Sequence, residues 1–543
     1  MKSLKDFDRI IDRHHQPILI GILLMGLLLR LYGINFGLPY LYNPDEPNRV
    51  RRVFRMLSTQ DVNPHWFGHP ASTVIYLLLL SYGLMFVGSR FLGICNSSED
   101  FLELYRQDPS IFYLTGRLWS TFFGVATIWV VYLIGSKLFN KTVGLISAFL
   151  VAIIPLHVEL SKLARMDTLM PFLLLISFYY CLKILEEDKL SNYIHASFFL
   201  GLAIATKYPA IIFVFTIILA YILTKGWNVK GYLKPVSSVL TCTGAVFIAS
   251  PFLFLDFKQV LIDISQENRL FHLGATGEGF INDLIWYIQN PLIQSFTFLG
   301  ILLISFGIFL VLVINQEKLL LLVSFPSLFL LFISVLNLRW ERWIIPMIPF
   351  LCILLAYTIY QISKLIELRF NYFLGSCLIL IILTSIIIPL LQNNMLQGYK
   401  LSGVDTRTFT GEWMLRNIPK NSKILVENYT PQLPKTSFQF FIVKHNKDGI
   451  IEKFNAERSS HATFYPYGKI GNLKSIEEID KNKIQYIIMG NYYDLYLREK
   501  NRYPKIVDRY EDIINSGELI YEAQKNNKVR QGPMIRIYKV SEK

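Results

Sequence analysis

Long apolar segments separated by short polar ones run through the first 391 residues of the chain. A membrane-spanning helix needs about 20 mainly apolar residues, and twelve segments come close to that length. They are residues 17–38, 69–91, 111–136, 142–157, 167–185, 192–206, 209–224, 235–255, 291–314, 318–336, 342–361 and 370–391. This pattern predicts a polytopic α-helical membrane protein.

The second segment, 69–91, is less regular, because it opens with His69-Pro70 and carries Tyr82 and Arg90. If it does not cross, the predicted inner loops hold more cations than the outer loops. The inner cations are Lys137, Lys141, Lys183, Lys189, Lys225, Lys230, Lys234, Lys318, Lys364 and Arg369, and the outer ones are Lys162, Arg165, Lys207, Lys258, Arg269, Arg339 and Arg342. The positive-inside rule favours this arrangement. We therefore predict eleven spans with a cytoplasmic N-terminus. Segment 69–91 is predicted to lie along or dip into the outer interface within one long loop, 39–110.

Residues 392–543 are polar and follow the last predicted span, so the eleven-span arrangement places them on the outer side. They contain strand-like runs at Lys423–Val426, Phe438–Val443, Tyr486–Met489 and Met534–Val540, and helical stretches near 406–417 and 504–515. Short alternating runs between helices are typical of a small α/β domain. The predicted organisation is a transmembrane module, residues 1–391, followed by an extracytoplasmic α/β domain, residues 392–543.

Composition agrees with a membrane location. Hydrophobic residues make up 52% of the chain and charged residues 17%, against about 25% charged in typical soluble domains. The net charge is +14, and many of the cations lie in short loops between apolar segments, where they anchor to anionic headgroups, so we predict membrane lipids rather than nucleic acid as partners. The charged N-terminus lacks a small-residue cleavage site, so segment 17–38 is expected to be a retained span. The five cysteines show no metal-ligand spacing and all precede residue 395, which excludes a disulfide framework in the tail.

Several charged residues interrupt the apolar pattern on the predicted outer side. Two adjacent carboxylates, Asp45 and Glu46, are costly beside hydrocarbon unless they face water, pair with cations or take part in chemistry. The other polar positions are Arg117, Arg165, Asp167, Lys207, Tyr208, Arg339, Glu341 and Arg342, with His65 and His69 in the first loop. Because these positions share one side, the sequence predicts a single polar site at the membrane surface.

Each of these residues also has an ordinary structural explanation. Arg117 could snorkel toward the interface, and Arg165 could form a local ion pair with Asp167 at a helix end. Lys207 could mark a tight hairpin, and the cations near Glu341 could be interfacial anchors. For His65 and His69 we expect a structural role, because they have no third partner at metal-ligand spacing. A divalent metal ion stays an open alternative without a ligand set, and no cofactor is assigned.

Together, a carboxylate pair and several cations suit a reaction between a phosphate-bearing lipid and a hydroxyl group. Arginine and lysine neutralise a lipid phosphate, arginine through its planar fork. Stabilising the charge on a departing phosphate accelerates bond cleavage. A carboxylate within hydrogen-bond reach can take the proton of the acceptor hydroxyl.

Motifs distributed over nearly the whole chain resemble, in order, those of the GT-C superfamily of membrane glycosyltransferases, in particular its protein O-mannosyltransferase and aminoarabinose transferase relatives. They are Asn43-Pro44-Asp45-Glu46, His69-Pro70, Gly116-Arg117-Leu118, Arg165-Met166-Asp167, Ala205 to Pro209, Ser250-Pro251-Phe252 and Arg339 to Pro349, followed by Asp405-Thr406-Arg407 with Trp413 and Ile418-Pro419. The His69-Pro70 pair departs from the Pro-Pro form of many relatives.

The resemblance implies that a sugar is transferred from a polyprenyl-phosphate donor to an acceptor hydroxyl of a protein, lipid or glycan. Transfer would occur on the outer face of the cell membrane, with inversion at the anomeric carbon. By analogy Asp45 is expected to be the base and Glu46 to orient the acceptor or substrate. The expected donor-phosphate ligands are Arg117, Lys207 and Arg342, and further candidates are Arg165, Asp167, His69, Tyr208 and Glu341. A lipid-linked glycan ligase or polymerase, and a transporter or flippase of a lipid-phosphate sugar, are the alternatives.

Overall fold

The structure is a computed structural model that describes residues 4–68, 72–225, 233–267, 269–314, 316–369, 372–433, 437–444, 449–454, 468–523 and 531–540. Within these residues, a large helical part that extends to Leu401 is followed by a smaller part built on a six-stranded sheet. His69 lies outside the described residues.

The helices of the first part are numbered α1 to α18 along the described chain. They are α1 (Leu4–Leu31), α2 (Pro47–Thr59), α3 (Ser72–Phe91), α4 (Ser98–Gln107), α5 (Ser110–Leu138), α6 (Lys141–Ile153), α7 (Pro155–Leu160), α8 (Leu169–Glu186), α9 (Leu190–Thr206), α10 (Val214–Lys225), α11 (Leu233–Ala249), α12 (Phe252–Leu255), α13 (Phe257–Glu267), α14 (Phe280–Tyr287), α15 (Ile293–Ile314), α16 (Glu317–Ser334), α17 (Ile348–Arg369) and α18 (Tyr372–Leu401). Short 3-10 helices precede α10 and α17, at Tyr208–Phe213 and Glu341–Ile344, and a π-helical turn at Ile288–Leu292 joins α14 to α15.

Twelve helical segments of the described chain are apolar enough to lie in a membrane. Eight are also long enough to cross it, namely Asp8–Leu31, Ser72–Phe91, Ser110–Leu138, Leu169–Glu186, Phe280–Ile314, Glu317–Ser334, Ile348–Arg369 and Ile379–Leu401. Four are shorter, namely Lys141–Ile153, Leu190–Thr206, Tyr208–Thr224 and Leu233–Ala249. Helix α3 is among the eight, so the predicted number of eleven spans, which leaves α3 out, stays a prediction. The predicted fold class, a helical membrane protein with a C-terminal α/β part, is confirmed.

Helices α5 and α6 pack closely, because small residues face each other where they meet. A Cβ atom added to Gly135 would lie 2.9 Å from the Cα atom of Gly144, and one added to Gly144 would lie 2.1 Å from Oγ of Ser136. Between membrane helices such close approach supplies the van der Waals contact that stabilises packing. The contact fixes α5, which carries Arg117, against the segment that leads to Arg165.

Ion pairs cluster at one end of the helical part, where several predicted inner loops meet. Glu186 at the end of α8 binds Lys137 Nζ at 2.5 Å and Lys318 Nζ at 2.9 Å. Lys141 Nζ lies 3.5 Å from an oxygen of Asp12 on α1. These pairs bring together loops that the sequence assigns to one side, and the membrane face on which they lie stays a prediction.

Helix α3 contacts the opposite end of the bundle near its start and at its middle. Thr73 shares a 2.8 Å hydrogen bond with Thr206, the last residue of α9, and the Tyr82 hydroxyl donates to the Phe112 carbonyl near the start of α5 at 2.8 Å. Both contacts are made by α3, the helix that is predicted to lie along the outer interface. Its position relative to a membrane stays a prediction.

The second part combines four helices with a mixed sheet. The helices are α19 (Thr406–Asn417), α20 (Glu477–Lys481), α21 (Tyr492–Arg498) and α22 (Pro504–Asn515), and the strands are β1 (Lys423–Val426), β2 (Gln439–Val443), β3 (Ile451–Lys453), β4 (Tyr486–Met489), β5 (Gly517–Ala523) and β6 (Ile535–Val540). The strand order is β3-β2-β1-β4-β6-β5; β1 runs parallel to β2 and β4, and the other pairs are antiparallel. Successive side chains of a strand point to opposite faces, so Leu425 joins one apolar cluster while Ile424 and Val426 join the other.

The sequence pattern located most of these elements. The predicted strands Lys423–Val426 and Tyr486–Met489 and the helices near 406–417 and 504–515 are confirmed. The predicted strands at 438–443 and 534–540 each begin one residue later in the structure. Strands β3 and β5 were not predicted, because β3 has only three residues and much of β5 is exposed at the sheet edge.

Candidate active site

The loop after α1 delivers the two predicted carboxylates to the start of α2. Pro47 begins this helix, where its missing N–H costs nothing, and Val50, Val53 and Phe54 bury the apolar face of α2. Asp45 and Glu46 stand just before it in different surroundings. The Asp45 side chain is 40% exposed, and that of Glu46 is 0% exposed.

Glu46 forms a buried, bidentate ion pair with Arg117 of α5. Arg117 Nε donates to Glu46 Oε1 at 2.9 Å, and its Nη2 donates to Oε2 at 2.8 Å. Its Nη1 donates to the carbonyls of Ile34 at 2.6 Å and Phe36 at 2.9 Å. The guanidinium also lies 4.3 Å from the centre of the Phe36 ring.

This arrangement leaves the role of Arg117 as a donor-phosphate ligand a prediction and shows a structural role for its side chain. All three nitrogens of its buried guanidinium already donate to protein oxygens. Glu46 is equally occupied, because it also accepts from the Ala164 N–H at 2.8 Å. Both carboxylate oxygens of Glu46 are therefore occupied by protein donors, so neither is open for the predicted role of orienting a substrate. The ion pair of Glu46 with Arg117 anchors α2 to α5.

Asp45 begins a different chain of charges. Its carboxylate pairs with Arg165 in the loop between α7 and α8, and Arg165 Nε donates to Asp167 Oδ2 at 2.8 Å. Lys207, which follows α9, donates to Asp167 Oδ1 at 3.0 Å. Three separate loops therefore meet at one site, and the predicted local pairing of Arg165 with Asp167 is part of it.

The cations around these carboxylates decide their protonation. Burial alone would raise the pKa of Asp45, but Arg165, Arg342 and Arg49 outweigh it and leave that pKa below its usual value. Burial likewise opposes the charge of Asp167, yet Arg165 and Lys207 hold its pKa far below the usual range. Both carboxylates are therefore ionised at neutral pH.

Arg342 completes the site from the segment before α17. Its charge acts on Asp45 and Asp167, and its guanidinium lies 4.2 Å from the ring centre of Trp340. Within the described part of the chain, the guanidinium has no hydrogen bond and no ion pair at 4 Å or less. A partly exposed cation that the protein does not neutralise is available to an anionic ligand.

Arg49 was missed by the sequence analysis. It is 3% exposed on α2, its Nη1 donates to the Asp45 carbonyl at 2.6 Å, and its Nη2 lies 3.0 Å from the sulfur of Met166. Its buried Nε lacks a hydrogen-bond partner. The sequence feature that could have identified Arg49 is its position four residues after Asp45, on the same side of the following helix.

The site carries an excess of positive charge. Four cations (Arg49, Arg165, Lys207 and Arg342) interact with two carboxylates, Asp45 and Asp167. Burying such an excess is costly unless an anion compensates it. The site is therefore suited to a phosphate group.

The second part of the molecule holds the loop that carries Asp45. Arg407 of α19 forms a bidentate pair with Asp405 at 2.8 Å for both contacts, and donates to the Tyr42 carbonyl at 3.1 Å. Its guanidinium lies 3.8 Å from the Tyr42 ring centre, and the Tyr42 hydroxyl is 2.6 Å from Oγ1 of Thr408. This clamp ends three residues before Asp45.

The other predicted residues lie around the site rather than in it. The Tyr208 hydroxyl donates to the Phe67 carbonyl at 2.9 Å and so ties the first long loop to the 3-10 helix before α10. Glu341 is exposed beside Arg342, and Arg339 is paired with Asp283 at 3.1 Å and Glu278 at 2.9 Å. The described residues contain no group of three histidine, cysteine or acidic side chains that could hold a metal ion.

Comparison with known proteins finds similarity to mannosyltransferases over part of the chain. Residues 114–254, which include Arg165 and Lys207, match the family model described as dolichyl-phosphate-mannose-protein mannosyltransferase. The chain is 26% identical over 154 residues to the protein named "Putative mannosyltransferase YkcB" of Bacillus subtilis. That match covers 28% of this chain and 22% of the relative, so the chain spans about a fifth of it.

Solved structures share the fold over nearly the whole chain. The apo oligosaccharyltransferase of Archaeoglobus fulgidus has a TM-score of 0.55 at 12% identity, covering 93% of this chain and 73% of that one. Its AglB complex with an inhibitory peptide and a dolichol-phosphate has a TM-score of 0.54 at 12% identity, covering 98% and 75%. Apo ArnT from Cupriavidus metallidurans has a TM-score of 0.50 at 11% identity, covering 95% and 97%. The chain thus shares its fold with these oligosaccharyltransferase and ArnT structures, and the predicted resemblance is confirmed at the level of the fold.

Proposed function

We propose that the protein is an inverting glycosyltransferase that moves a sugar from a polyprenyl-phosphate donor to an acceptor hydroxyl. The acceptor oxygen attacks the anomeric carbon, and the bond from that carbon to the phosphate oxygen breaks. The electron pair of the broken bond leaves with the phosphate, and the acceptor proton passes to a carboxylate. The excess of two positive charges beside the accessible Asp45 is the observation that carries this proposal.

The cation cluster suits the leaving phosphate. Arg342 supplies an uncompensated charge, and Lys207 and Arg165 supply charges that Asp167 holds in place. Preorganised cations stabilise the charge that develops on a leaving group without reorganising during the reaction. The dolichol-phosphate bound to AglB supports a donor of this class.

Asp45 suits the role of base. Among the carboxylates of the site, Asp167 and Glu46 are completely buried, whereas Asp45 is 40% exposed. Its lowered pKa keeps it ionised and able to accept a proton at neutral pH. Glu46 and Arg117 would then act indirectly, by fixing the start of α2.

The proposed site lies at the outer face of a cell membrane. It stands at the end of the helical bundle opposite the cluster formed by Lys137, Glu186 and Lys318, and the positive-inside rule places that cluster in the cytoplasm. Residues 392–543 would form an extracytoplasmic domain next to the transmembrane module, residues 1–391.

The test is donor turnover by the full chain in lipid vesicles. A panel of polyprenyl-phosphate sugars is supplied, and released polyprenyl phosphate is measured. We expect Arg342→Gln to raise the donor KM roughly 10- to 100-fold, because one charge-assisted contact is worth about 1.5–3 kcal/mol. Arg416→Gln, at a residue whose side chain is 78% exposed on α19, is the control. Movement of the donor across the membrane without bond cleavage would identify a flippase and refute the proposal.

A second candidate is the transfer of a longer, lipid-linked glycan. The fold is shared with proteins named oligosaccharyltransferases. In the same assay, a ligase would release polyprenyl phosphate from an oligosaccharide donor and leave polyprenyl-phosphate monosaccharides intact.

A further inference from the structure

A pocket of about 260 Å³ lies between the helical part and the sheet-bearing part. We propose that it binds the acceptor, and that the acceptor presents a hydroxyl-rich sugar residue, neutral or anionic, to Asp45. This inference rests on the proposed glycosyl transfer and adds the chemical class of the acceptor. The polar lining residues are Asn43, Glu159, Lys162, Gln397, Lys400 and Gln531.

The pocket adjoins the proposed base. Asn43 lines it, and the Asn43 side-chain oxygen accepts from the Asp45 N–H at 3.0 Å. Glu159 also lines it, and its charge interacts with that of Arg165, the partner of Asp45. A ligand in the pocket therefore lies beside the segment that carries Asp45, the residue that would take its proton.

The pocket is separate from the proposed phosphate ligands. None of Arg49, Lys207 and Arg342 is among its lining residues. Inversion requires the acceptor oxygen and the departing phosphate on opposite sides of the anomeric carbon. A polar cavity that reaches the Asp45 segment through Asn43, with none of these cations in its lining, meets that requirement for the acceptor.

The lining chemistry selects the ligand. Amide, ammonium and carboxylate groups offer both donors and acceptors, which suits hydroxyl groups that both donate and accept. An alkyl chain would leave these polar groups unpaired, and a cation would meet Lys162 and Lys400. The volume is below the roughly 300–1,000 Å³ of pockets for drug-sized ligands, so one sugar residue fits better than a folded peptide segment.

The sheet-bearing part closes the pocket through Gln531 and Gly532. The Gln531 carbonyl accepts from the Thr406 N–H at 2.7 Å. Gly532 has φ of +117°, and a Cβ atom there would lie 2.2 Å from Oγ1 of Thr406. Glycine is therefore required for this segment to approach α19, and the approach places Gln531 over the pocket.

The experiment uses the full chain in lipid nanodiscs and the methyl glycosides of mannose, glucose, galactose and N-acetylglucosamine as probes. Saturation-transfer NMR measures their binding. We expect at least one glycoside to bind, and both Lys400→Ala and Gln531→Ala to weaken it about tenfold through the lost hydrogen bond. Lys420→Ala, at an exposed lysine outside the pocket, is the matched control and should bind normally.

Competition separates the possible occupants. A polyprenyl-phosphate sugar should leave the bound glycoside in place; its displacement would assign the pocket to the donor sugar and overturn the proposal. Binding of serine- or threonine-containing peptides at this pocket in place of glycosides, or glycoside binding unaffected by both substitutions, would also overturn it. Donor cleavage measured on the same samples reports on the proposed function separately, because its absence in the unaltered protein would refute glycosyl transfer whether or not a glycoside binds.

Discussion

Arg117 is expected to stabilise the fold rather than to bind the donor. Arg117→Ala would leave Glu46 buried with one of its three hydrogen bonds, the one from the Ala164 N–H. It would also remove the donor that satisfies the carbonyls of Ile34 and Phe36. The uncompensated carboxylate is the larger cost, because it has no access to water.

The magnitude follows from that burial. Removing one partner of a buried ion pair costs roughly 3–5 kcal/mol, a large share of the roughly 5–15 kcal/mol that stabilises a typical domain. Replacing both partners by apolar side chains, as in Glu46→Leu with Arg117→Met, removes the stranded charge. We therefore expect the double variant to be more stable than Arg117→Ala by about 2 kcal/mol or more.

Thermal unfolding of the purified full chain and the donor KM together provide the assay. Arg117→Ala should lower the unfolding temperature, and the fraction that stays folded should retain a donor KM within about threefold of the original. Arg416→Ala, on the exposed face of α19, controls for loss of an arginine. An Arg117→Ala protein with an unchanged unfolding temperature and a tenfold higher donor KM would refute the structural assignment and restore Arg117 as a phosphate ligand.

Three further predictions concern the base, the clamp and a buried acid. Asp45→Asn should lower turnover about 10²- to 10⁴-fold with an unchanged donor KM, since the amide cannot accept a proton; near-normal turnover would end the assignment. Arg407→Ala should lower kcat about tenfold by loosening the Tyr42 loop, and Arg407→Lys should not restore it because lysine cannot form the bidentate pair with Asp405; full rescue by lysine would contradict this. Burial raises the pKa of Glu427 from its ordinary value to about 7. The stability that the protonated carboxyl contributes to the folded state is therefore complete below pH 4.5 and is lost as pH rises through 7, a loss of about 3 kcal/mol. Hydrogen exchange of β1 and β4, corrected for intrinsic rates, should show this loss of stability, and Glu427→Gln should remove most of its pH dependence. An equal pH dependence in both proteins would refute the assignment to Glu427.

The convergence of charges could be predicted from the sequence because membrane topology limits where loops lie. Once apolar segments and lysine distribution fix the order of crossings, loops with Asp45, Asp167, Lys207 and Arg342 must share one end of the bundle. The structure places these four residues together. This prediction depended mainly on whether an even or an odd number of spans separates two loops, and less on which charged residues the loops carry.

The pairing of individual charges could not be predicted in the same way. Glu46 and Arg117 are 71 residues apart, and the sequence offered several equivalent cations to each carboxylate. Arg49 resembled an ordinary basic residue on an amphipathic helix, and only its burial distinguishes it from such a residue. The contact of Arg407 with Tyr42 spans 365 residues and depends on how the two parts of the molecule meet.

Asp45 and Glu46 are held in place by the same loop, the one between α7 and α8. Ala164 donates its N–H to Glu46, and the next residue, Arg165, binds Asp45 with its side chain. Consecutive residues of one loop thus hold consecutive residues of the other, so the position of Asp45 depends on the anchor formed by Glu46 and Arg117. If Glu46 only oriented a substrate, as the resemblance implies, Glu46→Gln would be milder than Asp45→Asn. The structure predicts a different kind of effect: Asp45→Asn should abolish proton transfer in a well-folded protein, whereas Glu46→Gln should weaken the anchor and lower stability and turnover together.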